Sequence, residues 1–215
     1  MNKNALYDIT YGLYVVGCFS DDERASGCII NTCFQVTSEN PSLAICLNKN
    51  NYTLECIKKN PRFCLSIISE ATNPMIISSF GFRSSRDADK YADFGYDELN
   101  GTPAVKGQFC GRLIADAFDF IDCGTHVIVV ARLVESYAGS GTPMTYAYYH
   151  NVIKGNAPKN APTYRAESSL APESPKTMRR FKCDICGYIA ETETDLPADF
   201  VCPVCGFDRS HFKEI

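Results

Sequence analysis

The sequence predicts a mainly β fold, a barrel or sandwich of six or more strands, followed by a small C-terminal metal-binding domain. Short apolar or alternating runs recur through residues 1–155 with few helical stretches between them. Two Cys-x-x-Cys pairs then fall within the last part of the chain, at Cys183, Cys186, Cys202 and Cys205. Between the two regions, residues 156–178 hold Pro158, Pro162, Pro172 and Pro175 among Ser and Ala, the composition of a linker. The expected organisation is therefore 1–155, a linker over 156–178, and 179–215.

The expected strands are Cys28–Val36, Leu43–Leu47, Phe63–Ile68, Arg112–Ile121, His126–Val134 and Met144–Tyr149. Asp122 to Thr125 reads as the hairpin turn between the fourth and fifth runs. A short helix over Thr53–Lys59 follows from Asn51 or Thr53 as its cap and Pro61 as its stop. Further helices are expected at Pro74–Phe80 and Arg86–Phe94. Few helices among many strands exclude a parallel α/β sheet.

Charge narrows the function. The chain carries a net charge of -4, which argues against a nucleic-acid binder. Residues 181–215 hold 3 basic and 7 acidic side chains, so the negative charge sits in the tail. An acidic tail steers towards a basic partner surface. No apolar run is long enough to cross a membrane, and the N-terminus shows no apolar signal segment. A cytoplasmic protein is the expectation. Gly139-Ser140-Gly141 leads to Met144 and not to a third glycine, which fails the dinucleotide fingerprint, and there is no P-loop.

Of the 12 cysteines, eight are scattered singly and are expected to behave as small hydrophobes. Cys123 lies three residues from His126, with no third group to complete a nucleophilic site. The other four form a site. Two residues between cysteines let one tight turn aim both sulfurs at a point, and two such turns complete a tetrahedron. Gly187 and Gly206 follow the second cysteine of each pair and supply the positive φ that turns backbone N–H groups towards sulfur. So short a segment cannot bury enough apolar surface to fold alone, which makes a metal staple expected. Spacing leaves iron and zinc both open. In the body, Asn48-Lys49-Asn50-Asn51-Tyr52-Thr53 leads from a strand into a helix, where free N–H groups and a lysine suit a phosphate. Plain capping by Asn51 or Thr53 explains the same residues.

The tail, Cys-x-x-Cys-Gly-Tyr then Cys-Pro-x-Cys-Gly-Phe, with Phe181, Phe200, Phe207 and Phe212 around it, resembles a rubredoxin. The 15 residues between Cys186 and Cys202 match the short form fused to rubrerythrins. That resemblance implies one redox-active iron. The stretch Cys28 to Ser38, then Pro41, Leu43–Leu47 and Asn48-Lys49-x-x-Tyr52-Thr53, is similar to the FMN-binding flavin reductase (flavoredoxin-like) family, as are Phe82 to Lys90 and Gly124-Thr125-His126. The combination resembles the high-molecular-weight rubredoxins of anaerobes. The resemblance implies a split β-barrel forming a homodimer, with flavin near the subunit interface. Asn31, Thr32, Gln35, Val36 and Thr37 would line the flavin ring, and Asn48, Lys49, Asn51 and Thr53 would hold its phosphate. Lys90 and His126 would lie near the flavin or the nicotinamide entrance. NAD(P)H would donate electrons, FMN and iron would carry them, and a flavodiiron protein that reduces nitric oxide or dioxygen would accept them. The family commonly has Gly-Asp-His where this chain has Gly124-Thr125-His126.

Overall fold

Alternation along two strands sets the core. Strand β4 (Ser42–Asn48) turns Leu43, Ile45 and Leu47 inward, and they pair with Ala131, Val129 and Val127 of β9 (His126–Ala138). The computed structural model describes residue 6, residues 8–153 and residues 179–215; the linker expected over 156–178 lies outside them. The chain divides into two units, one spanning Thr10–Tyr146 and the other containing the four paired cysteines.

The first unit adds β1 (Tyr14–Phe19), β2 (Ala25–Ile30), β3 (Cys33–Thr37), α1 (Tyr52–Lys59), β5 (Arg62–Ile68), α2 (Pro74–Phe82), β6 (Tyr96–Leu99), β7 (Thr102–Val105) and β8 (Phe109–Asp122). Seven strands form one antiparallel sheet in the order β2-β1-β5-β8-β9-β4-β3. In a flat sheet β2 and β4, five spacings apart, would sit about 24 Å from each other. Yet Cys28 and Ile30 of β2 share one core with Leu43, Ile45 and Leu47 of β4. The sheet therefore curls into a barrel, and Leu54, Cys56 and Ile57 of α1 join the same core.

One expected strand becomes two. Cys28–Val36 breaks at Asn31-Thr32, and the pieces, β2 and β3, are the two opposite edges of the sheet. The chain crosses the barrel's seam in two residues. Around the outside, the β6–β7 hairpin covers Cys64 and Ile114 with Ala104 and Leu99. It lies so close to β1 that a Cβ on Gly17 would collide with the Pro103 carbonyl. Asn100 and Gly101 turn this hairpin with φ of 52° and 76°, a turn signal present in the sequence.

Two expectations are corrected. Met144–Tyr149 is not a strand; Tyr146, Tyr148 and Tyr149 sit on a short helix, α3 (Tyr146–Asn151). Main-chain contacts set this local shape, with Tyr146 N–H donating to Tyr11 O at 2.8 Å and Thr145 bridging to Gly12. Arg86–Phe94 is a series of turns and bends, not a helix. Ser85, Lys90 and Tyr91 are buried there, and anchoring three side chains inward overrides the local helical preference. The helices over 53–59 and 74–80 are present as α1 and α2, capped by Asn51 and Asn73.

The second unit holds a three-stranded sheet, β11-β10-β12, made of Ile189–Thr192, Arg179–Cys183 and Phe212–Glu214. Its core is Phe181, Ala190 and Leu196, with Tyr188, Phe200 and Phe212 packed against it. Among the described residues, no helix is long and apolar enough to cross a membrane.

Candidate functional site

Four thiols meet in the second unit. Cys183 ends β10, and Cys186, Cys202 and Cys205 come from two tight turns that face it. All four are buried, and their sulfurs lie within 4.8 Å of one another. Cys183 and Cys205 are 3.6 Å apart, and Cys186 and Cys202 are 3.5 Å apart. A tetrahedral metal with bonds of about 2.3 Å spaces its sulfurs about 3.8 Å apart, so the cage is near the size a metal needs.

The glycines act as expected. Gly187 and Gly206 have φ of 77° and 72°, and the N–H groups just beyond them, from Tyr188 and Phe207, bond to the Cys186 and Cys205 sulfurs. Crowding and burial drive the protons of Cys183, Cys186 and Cys205 apart. Hydrogen bonds from Cys186 and Cys202 hold Cys183 far below the usual thiol range, while Cys186 is pushed up by Cys183 and Cys202, and Cys205 by burial. A divalent or trivalent cation resolves this conflict, because it needs every sulfur as thiolate. Phe181, Phe200 and Phe212 pack together in the unit's core, and Phe212 stands opposite Cys183 in the β10–β12 ladder. Phe207 is instead 40% exposed and packs edge-on against His211.

In the barrel, the expected flavin residues gather around the seam and the start of α1. Asn31 and Thr32 form the crossing between β2 and β3, and Thr32 Oγ1 donates to Asn31 Oδ1 at 3.1 Å. Gln35, Val36 and Thr37 follow on the exposed edge strand β3. Gln35 Nε2 bonds to Thr37 O at 2.8 Å, and Thr37 Oγ1 sits 2.8 Å from Ser42 Oγ. Asn48 ends β4 opposite His126, and its Oδ1 accepts from Asn50 N–H at 2.9 Å. Asn51 caps α1 by accepting from Thr53 N–H at 3.0 Å. Thr53 is buried, its hydroxyl 3.2 Å from Ser26 Oγ. Lys49 pairs with Asp122 at 2.6 Å and holds that carboxyl below its ordinary range. Its N–H also donates to Thr125 O, which ties the α1 entrance to the β8–β9 turn. His126 Nδ1 lies 2.9 Å from Thr125 Oγ1, so a hydroxyl faces that side of the ring.

Lys90 sits apart from these groups. It is 2% exposed, and its ammonium donates to Gly27 O at 2.8 Å and Phe80 O at 3.1 Å. Burial pushes its pKa down to about 8. Ser85 bonds to both the N–H and the C=O of Gly27, so the 85–90 segment grips the β2 edge from outside.

Two arginines missed by sequence reasoning flank the start of α1. Arg86 stacks on Tyr52 at 4.7 Å and grips Glu55 with both oxygens, and Arg24 approaches the same ring at 5.8 Å. The quoted stretch Phe82 to Lys90 contains Arg86; its separation from α1 in sequence hid the contact.

Residues 6–156 match the family model for the flavin reductase like domain, and residues 181–213 match that for the rubrerythrin, rubredoxin-like domain. A high molecular weight rubredoxin of Moorella thermoacetica is 35% identical over 234 residues, covering 100% of both chains. A ferric-chelate reductase (NAD(P)H) of Archaeoglobus fulgidus is 35% identical over 166 residues, covering 76% of this chain and 98% of that one. The structure of the styrene monooxygenase flavin reductase from Pseudomonas putida superposes with a TM-score of 0.58 at 15% identity, over 67% of this chain and 91% of that one. That likeness bears on the fold alone.

Proposed function

The chain belongs to the flavin reductase like domain family and carries a rubredoxin-like domain at residues 181–213, and from that membership we propose that it is an NAD(P)H-dependent oxidoreductase. Electrons pass from NAD(P)H through FMN to one iron held by Cys183, Cys186, Cys202 and Cys205, and on to an acceptor protein of the flavodiiron type. The observation that carries this reading is a saturated four-sulfur cage on the same chain as the barrel. Four sulfur ligands leave no position for a substrate, so an iron held there would exchange electrons and not bind substrate. Electron transfer is the common ground of the two matched domains.

Bound FMN supplies the exchange between hydride and single electrons, which the iron takes one at a time. The protein's residues do the holding. Asn48, Lys49, Asn51 and Thr53 mark where the flavin phosphate would sit, at the positive end of α1, with the Lys49 ammonium, paired with Asp122, as the cation there. Asn31, Thr32, Gln35, Val36 and Thr37 line the ring along the seam. His126 orients the nicotinamide, held by Thr125, and Lys90 positions the wall of the site by clamping β2. The eight cysteines outside the cage, none of them in a disulfide, suit a reducing, cytoplasmic setting.

Anaerobic addition of NADH or NADPH tests this. The flavin absorbance and then the ferric–thiolate absorbance are expected to bleach. A colourless zinc protein, or bands that neither nucleotide bleaches, overturns the reading.

A second copy of the chain completes the barrel's outer face. Phe34 and Val36 on β3 and Phe118 and Ile121 on β8 are all large, apolar and about half exposed, at 55%, 49%, 57% and 46%. Phe34 and Val36 alternate with the core-facing Cys33, Ile121 with Phe120, and Phe118 sits at the β8 bulge between Ala117 and Asp119. Phe34→Glu with Ile121→Glu is expected to convert a homodimer to a monomer in sedimentation. A wild-type monomer would remove the second copy from the proposal.

A further inference from the structure

The turn between β8 and β9, residues 122–125, meets the loop between β4 and α1 through Lys49. The Lys49 ammonium lies 2.6 Å from Asp122 Oδ2, and the Lys49 N–H donates to Thr125 O at 3.0 Å. Asp122 has a second anchor. Its Oδ1 accepts from Gly124 N–H at 2.8 Å, and Gly124 takes the φ of 82° that the turn requires. Cys123 N–H closes the turn by donating to His126 O at 2.9 Å. One carboxylate thus has one oxygen fixed by the main chain and the other on the Lys49 ammonium.

The pair is exposed, with 40% of the Lys49 side chain and 67% of the Asp122 side chain open to water. An ion pair so exposed contributes little to folding. Its effect falls on any other anion that comes to Lys49. An ammonium offers three N–H donors but a single positive charge. A phosphate monoester brings about two negative charges at neutral pH. Held at Lys49 together with the carboxylate, it leaves the anions in excess and repelling each other. Asp122 cannot withdraw from that repulsion without giving up the Gly124 N–H.

We propose that Asp122 is a specificity-determining residue of the flavin site: its carboxylate competes with the flavin phosphate for Lys49 and holds down the affinity for FMN relative to riboflavin. The inference rests on the reading that Lys49 meets the flavin phosphate. It concerns the phosphate alone, since the ring is assigned to other residues, 31–37, along the seam. Asparagine at position 122 keeps an oxygen for the Gly124 N–H, so Asp122→Asn removes the charge and spares the turn.

Equilibrium dialysis of the full-length protein against FMN and against riboflavin, at low ionic strength, tests this. Asp122→Asn is expected to tighten FMN about three- to tenfold and to leave riboflavin unchanged. Added salt should shrink the gain, because exposed charges are screened. Asp122→Ser, whose hydroxyl also accepts from a main-chain N–H in such turns, should reproduce the gain and stands in if the asparagine variant fails to fold. FMN affinity that stays the same or weakens in both variants, or riboflavin affinity that moves with it, overturns the proposal. Lys49→Met separates that failure from a failure of the underlying reading. If Lys49 meets the phosphate, this variant weakens FMN and not riboflavin; if it changes neither, the phosphate lies elsewhere and both fall.

Discussion

Replacing Cys183 and Cys202 together with serine is expected to abolish metal binding and unfold the C-terminal unit, while the barrel keeps its flavin. The unit's own core consists of Phe181, Ala190 and Leu196 with three partly buried aromatics. Burying side chains of that size yields about 1.5–3 kcal/mol each for the larger ones, which does not offset the entropy of ordering a segment of this length. Binding of a structural metal in small domains of this kind contributes about 10–16 kcal/mol. Losing one thiolate from each turn removes that contribution. The loss is local, because barrel and metal unit have separate cores. Metal analysis, visible absorbance and limited proteolysis report the outcome. A variant that still binds metal in a protease-resistant tail, or one that loses flavin as well, contradicts the argument.

Alkaline pH is expected to unfold the barrel well before it affects an ordinary protein of this size. Cys64 is 1% exposed, and burial pushes it up to about 11 from 9.0. A thiol whose folded value is raised contributes stability below pH 9 that is lost as pH rises through 11. Two pH units correspond to about 2.7 kcal/mol. Burial pushes Cys33 up to about 11 too, and Cys18, Cys28 and Tyr91 move the same way. Lys90 opposes them. Its ammonium is pushed down to about 8 from 10.5, so the folded chain sheds this proton first. That restores at most about 3 kcal/mol between pH 8 and 10.5. Several thiols outweigh one amine, and urea midpoints are expected to fall steeply between pH 9 and 11. Cys64→Ala should remove about 2.7 kcal/mol of that fall. A flat profile in the wild type would show that the thiols are reached by water.

The parts of this chain that sequence made legible are those where one face is buried and the other is not. β9 alternates in burial and β4 stands out as a short apolar run between turn residues, so both could be read; β1 is apolar throughout because the core covers one face and the β6–β7 hairpin the other. A strand buried on both sides has no period to detect. β6 is exposed along Tyr96–Glu98 and was not expected, although Asn100-Gly101 marks its turn in the sequence. The metal site was legible in full, since four cysteines at fixed spacing admit few geometries. Lys90 was not. A lysine at 2% exposure runs against everything composition teaches, and only the two carbonyls above it explain its place.

The order of strands across the sheet carries a consequence for biosynthesis. β8 and β9, residues 109–138, stand in the middle, between β5 on one side and β4 on the other. A ribosome delivers them after every other strand of the sheet. Until they emerge, β5 and β4 each have an open edge awaiting a neighbour, and such edges attract other nascent chains. Barrel closure is thus tied to the release of roughly the first two-thirds of the polypeptide, and chaperone demand during translation is concentrated in that interval.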